Sequence, residues 1–229
     1  MSDTLYLSLW YPNLRLEALP DKLTAVLGAF AAYGGEEKVY AATVWPVNWS
    51  EAPVFQRVYG RMGAAPGVSP GVEPQLAVAE ALELLHDDYA YEFQMGWNLW
   101  ELESGGAGED ARATAGQEAG ATSLKTGVIG RWARGPRLVR VTGYGPLFEE
   151  GAYEQDGHIR IDFGSDTPFL EEEADLGQVG ARHVEENVRQ LVELANGVEK
   201  ASGATARLLW SELGESLAQR LAARLGMRN

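Results

Sequence analysis

Between Tyr89 and Glu103 apolar and polar residues alternate, with Tyr91, Phe93, Met95, Trp97 and Leu99 at every second position. Successive side chains of an extended chain point to opposite sides, so this spacing predicts a long strand with one apolar face. The same alternation runs from Thr4 to Tyr11, where Leu5, Leu7, Leu9 and Tyr11 oppose Tyr6, Ser8 and Trp10. It returns from Gly157 to Gly164, where Ile159, Ile161 and Phe163 are set for the core and His158, Arg160 and Asp162 for the other face. Val39 to Val47 reads as a further strand, and a short one is placed at Val54 to Tyr59. Leu124–Ala133 and Arg137–Tyr144 read as a hairpin turning at Gly135-Pro136.

Helical spacing fills the intervals. Pro20 suits a helix start, Asp21 complements the dipole of the first turn, and Leu23, Val26, Leu27 and Phe30 recur on one side before Gly34-Gly35. A second helix is predicted from Pro74 to about His86, with Val78, Leu82 and Leu85 on one stripe. A third spans about Arg182 to Lys200, with Val184, Val188, Leu191, Ala195 and Val198 at 4-3-4-3 spacing. Ser202-Gly203 breaks it, and a fourth is expected from the N-cap Ser211 to Leu225. Residues 104–122, rich in Gly, Ala and Glu and without periodicity, read as a flexible loop or insertion. The whole chain, 1–229, is expected to be one α+β domain. Its sheet should be largely antiparallel or mixed, with five to seven strands and helices packed mainly on one face.

Composition narrows the functional classes. Seven Trp, nine Tyr and six Phe in 229 residues exclude a disordered chain and supply a core. With no cysteine, disulfides, thiol nucleophiles and thiolate metal sites are excluded. The segment Met1–Trp10 lacks the positive start of a signal peptide, and no apolar run approaches the roughly 20 residues of a membrane span, so a soluble cytoplasmic protein is expected. A net charge of −14 opposes nucleic acid and anionic membrane as partners. A basic protein partner or a small anionic ligand is the expected class. Lys125, Arg131, Arg134, Arg137 and Arg140 form a run without acids, and the span from Glu149 to Asp175 carries acids against Arg160 alone. Cross-strand neutralisation of the two runs is the expected arrangement, with an anion site on the basic hairpin as the alternative.

Short motifs add little. Gly67-Val68-Ser69-Pro70-Gly71 matches a nucleophile elbow, yet no strand leads into it and Pro70 lacks the N–H that an oxyanion hole needs. Asp162-Phe163-Gly164 lacks every other kinase element, and Lys125-Thr126 lacks the glycine before the lysine of a P-loop. His86, His158 and His183 show no metal-ligand spacing. Neither a cofactor nor a metal is therefore expected.

Two functional expectations follow. The first is a non-catalytic interaction protein, inhibitor- or immunity-like in character, presenting an acidic, aromatic-rich surface in which Trp10, Trp100, Arg140 and Arg160 serve as anchors on the sheet face away from the helices. The second is an enzyme or small-ligand site built on His158, Arg160 and Asp162, with His183 and Arg140 nearby. There Asp162 would orient His158, or His158, Asp162 and His183 would hold a metal, while Arg160 fixed an anionic group. Residues i and i+4 of a strand stand about 13 Å apart at roughly 3.3 Å per residue, so His158 and Asp162 need a group between them.

Overall fold

The structure, a computed structural model, describes residues 3–63, 71–104, 121–123, 129–170, 176–212 and 220. Seven strands form one continuous antiparallel sheet: β1 (Thr4–Trp10), β2 (Gly35–Pro46), β3 (Phe55–Val58), β4 (Tyr89–Ser104), β6 (Ile129–Tyr144), β7 (Ile159–Ser165) and β8 (Ala206–Ser211). Their order is β3-β2-β4-β6-β7-β1-β8, and the short β5 (Ala121–Ser123) adds an eighth strand beside β6. The α+β class and antiparallel sheet agree with the alternation read from the sequence.

Helices α1 (Leu19–Ala29), α2 (Pro74–Ala81) and α5 (Gly177–Ser202) cover one face. Leu5, Leu7, Leu9, Phe93, Trp97, Ile159 and Ile161 from the sheet are fully buried in one cluster with Leu23, Val26, Val188 and Leu191 from the helices. Gly143 lets α1 approach β6, since a side chain there would meet Leu19 and Leu23. The strand at Ile159 has the expected register, with Ile159, Ile161 and Phe163 inside and His158, Arg160 and Asp162 outside.

Several boundaries differ from expectation, each for a local reason. The hairpin at Gly135-Pro136 does not form. Strand β6 runs through both residues, with Gly135 opposite Leu99 and Pro136 opposite Asn98, because the long β4 offers a partner over its whole length. On its second edge β6 meets β5 at Ile129–Arg131 and β7 at Arg140–Gly143. Among the described residues Pro136 therefore lies between these ladders, at an edge where a missing N–H is tolerated. Helix α2 stops at Ala81 rather than near His86, and the Tyr91 hydroxyl accepts the His86 N–H at 2.8 Å within the loop that follows. Strand β8 is an addition, since helical and strand periodicity assigned nothing to 204–210. Apart from residues 104, 121 and 122, which lie in β4 and β5, the expected insertion lies outside the described residues. So do Ser69, Lys125, Glu171–Glu173 and most of the expected 211–225 helix.

A second, smaller core lies on the opposite face at one end of the sheet. Ala90, Tyr144, Phe148 and Ala152 are buried there with Trp45, Trp49 and Tyr153 packed around them. Trp49 stands nearly perpendicular to Phe148, 5.1 Å between ring centres, a favourable edge-to-face arrangement. The single-turn helix α3 (Ala152–Gln155) folds over this end, and a second single turn, α4 (Thr167–Leu170), follows β7.

Candidate functional site: the polar face of the sheet

Opposite the helices, cross-strand pairing arranges side chains in rows. One row runs Gln94, Arg140, Asp162, Tyr6 and Trp210, and the next runs Glu92, Thr142, Arg160, Ser8 and Leu208. These rows come from register alone, because period-two strands place every second residue on this face. Arg140 and Asp162 face each other directly, with Arg140 Nη1 3.5 Å from Asp162 Oδ2. Asp162 also accepts the Gly164 N–H at 2.7 Å. Arg160 pairs with Asp156 and lies over the rings of Tyr6 and Tyr144, 5.3 and 5.5 Å from their centres. Among the described residues one ion pair, Arg140–Asp162, joins the basic stretch to the acidic one, while Arg134 pairs with Glu186 and Arg137 with Glu101.

His158 is held as a structural group. Its Nδ1 accepts the Tyr11 N–H at 3.0 Å, and its ring stacks on Tyr153 at 4.1 Å. Burial lowers the imidazole pKa below the usual 6.5, only partly countered by Glu154. No hydrogen bond joins His158 to Asp162 among the described residues, and each is committed to other groups. Beside them, burial raises the Glu92 carboxyl above the ordinary range although Arg140 and Arg160 pull it down. Burial and a 2.8 Å bond to Glu212 push the Tyr6 phenol up to about 12.

The remaining candidates separate in space. His183 lies on α5, stacked on Trp100 at 3.9 Å and near Trp132 at 5.4 Å, so it does not join His158 and Asp162. Burial lowers its pKa as well. No group of three or more potential metal ligands occurs among the described residues. Trp100 leaves the expected aromatic surface: it packs against α5 and donates from Nε1 to Glu186 at 3.1 Å. Trp10 stays on the polar face but is tied down, donating from Nε1 to the Glu154 carbonyl at 3.0 Å. Trp210, absent from the sequence candidates, stacks on Tyr6 at 4.6 Å and donates to Ser8 Oγ at 3.0 Å. The alternation of Leu208 and Trp210 against Leu209 and Ser211 carries that signal in the sequence, in a segment too short to be distinctive.

Concave surfaces formed by described residues lie elsewhere. One of about 280 Å³ is lined by Glu101, Leu102, Trp132, Arg137, Ser165, Thr167 and Pro168, with Arg137 closed on Glu101 at 2.7 Å. Another, of about 320 Å³, lies beside Tyr11, Arg15 and Lys22, where Lys22 Nζ donates to the Ser202 carbonyl at 2.7 Å. No helix of the described residues is long and apolar enough to cross a membrane. In comparisons with protein-family models, curated proteins and solved structures, the chain matches none.

Proposed function

We propose that this chain is a non-catalytic binding protein whose partner is a cationic protein. The observation that carries this reading is how the charge is spent. On the polar face each cation has its acid, Arg140 with Asp162 and Arg160 with Asp156, while the chain as a whole holds 33 acids against 19 Lys and Arg. The two cations of this face are thus spent, and the surplus of acid over the whole chain raises the local concentration and association rate of a positively charged partner. An inhibitor- or immunity-like character fits this profile as an analogy of charge and rigidity.

The alternative, an enzyme or small-ligand site on His158, Arg160 and Asp162, gains no support from the geometry. A general base needs a free nitrogen within reach of a substrate proton, and His158 Nδ1 is engaged by the backbone of Tyr11. The test is reconstitution. A partner captured from native extract is purified separately and titrated against the chain at low and at roughly physiological salt (about 0.15 M). A one-to-one complex with a basic protein, weakening steeply with salt, is the expected result. A partner that is neutral or acidic, or an affinity indifferent to salt, overturns the reading.

A further inference from the structure

We infer that the cationic partner docks on one end of the sheet, the tip built by the β2–β3, α2–β4 and β6–α3 loops, and that it does so through a Lys/Arg-rich segment carrying an apolar anchor. This placement rests on the binding reading above and adds the surface to it.

The three loops form one body. The Val47 N–H donates to the Asp88 carbonyl at 2.7 Å, Leu147 N–H to the Asp87 carbonyl at 2.7 Å, and Glu149 N–H to the Val47 carbonyl at 2.8 Å. Beneath them lies the second core, with Phe148 fully buried against Trp49 and Tyr144. A surface so tied needs little ordering when it binds.

Its chemistry combines two features. Large apolar side chains face solvent: Val47 is 48% exposed, Leu84 70% and Leu147 67%. The same three loops carry Glu51, Glu83, Asp87, Asp88, Glu149 and Glu150, and segments 47–54, 82–91 and 145–156 contain no Lys or Arg. None of these six acids forms an ion pair among the described residues. Exposed aliphatic groups rimmed by charge of one sign mark an interaction surface. The sign selects the occupant: phosphate-bearing polymers are repelled, and a second copy of this acidic tip would meet like charge. A basic amphipathic segment of another protein satisfies both features, placing cations on the rim and an apolar side chain at the centre.

The probe is a synthetic amphipathic Lys/Leu peptide, compared with a Glu/Leu peptide of the same pattern and a Lys/Ser peptide of the same charge. Binding to the full chain is read by fluorescence anisotropy. The Lys/Leu peptide is expected to bind in a salt-dependent way, and Leu84→Ser with Leu147→Ser to weaken it about tenfold or more through loss of apolar burial. Glu51→Gln with Glu150→Gln should reduce the salt dependence, and Leu208→Ser, on the polar face, should change nothing. Equal losses in the Leu208→Ser and tip variants, or no loss in the tip variants, overturn this placement while the cationic-partner reading stands. Failure of the Lys/Leu peptide to bind, or binding of the Glu/Leu peptide as tightly, overturns both. Light scattering of the chain alone supplies the last outcome: a dimer abolished by Leu147→Ser would assign the tip to a second copy instead.

Discussion

Asn187 grips Trp100 by both backbone groups: its Oδ1 accepts the Trp100 N–H at 3.0 Å and its Nδ2 donates to the Trp100 carbonyl at 2.8 Å. The pairing of β2 with β4 ends at Gly35 opposite Trp97, and beyond that point α5 runs along the vacated edge of β4. Asn187 thus does for Trp100 what a neighbouring strand would do. Gln190 helps one step earlier, donating to the Tyr33 carbonyl at 2.7 Å, while Asn98 N–H donates to the Gly34 carbonyl at 3.0 Å. Backbone groups buried without partners are costly, so two buried amides on an otherwise apolar helix face have a structural reason.

From this follows the first prediction. Asn187 Nδ2 also serves the Pro168 carbonyl at 2.8 Å, so Asn187→Leu strands two carbonyls and one N–H. Urea unfolding should show a loss of about 2–4 kcal/mol. Asn187→Asp should be destabilising too, since a carboxylate would then face both carbonyls. A loss below roughly 0.5 kcal/mol, the usual range for an inconsequential site, would show that the edge is satisfied otherwise.

Two helix glycines should respond in opposite directions. Gly28 in α1 has open space where a side chain would stand, so Gly28→Ala should stabilise by about 0.5–1 kcal/mol through helix propensity. Gly197 in α5 lies against the Tyr33 ring, and an added methyl would overlap it. Gly197→Ala should therefore destabilise, by about 1–3 kcal/mol, despite the same propensity gain. Thermal melts of the two variants side by side check the contrast.

Val47 and Glu149 hold left-handed backbone, with φ of 60° and 37°. A β-branched residue is strained there, whereas Asn tolerates that region. Val47→Asn should raise stability by about 0.5–1.5 kcal/mol, a shift of a few degrees in Tm. On the docking proposal it should also weaken the Lys/Leu peptide, so stability and binding would move in opposite directions.

The pH dependence has a definite sign. Burial lowers the pKa of both His158 and His183 in the folded chain below the usual 6.5, so the unfolded chain binds more protons in the window beneath that value. Stability from these groups is complete above about pH 6.5 and is lost as pH falls through that window. The double variant His158→Asn, His183→Asn should show a flatter midpoint in chemical denaturation over that interval. An unchanged slope would mean neither imidazole is held neutral by the fold.

Much of the architecture was legible because it depends on short-range periodicity. Leu5, Leu7 and Leu9, or Ile159 and Ile161, face inward wherever their strands pair, and Val184 to Val198 make one stripe whatever they contact. The turn expected at Gly135-Pro136 does not form for the same reason: local chemistry favours a turn, and only the length of β4 opposite shows that β6 continues. His158, Arg160 and Asp162 do share the polar face, yet shared parity does not say which partners reach them.

By itself the chain's order of residues determined the α+β class, the inward and outward sets of each strand and the surplus of acid, since these are properties of neighbours along the backbone and of composition. Tertiary structure alone decided strand order, the use of His158 as an acceptor for Tyr11, the departure of Trp100 to the helical side, where it stacks on His183, and the meeting of Val47 with Glu149. Those depend on residues far apart in sequence being brought within hydrogen-bonding distance, and no periodicity encodes that distance.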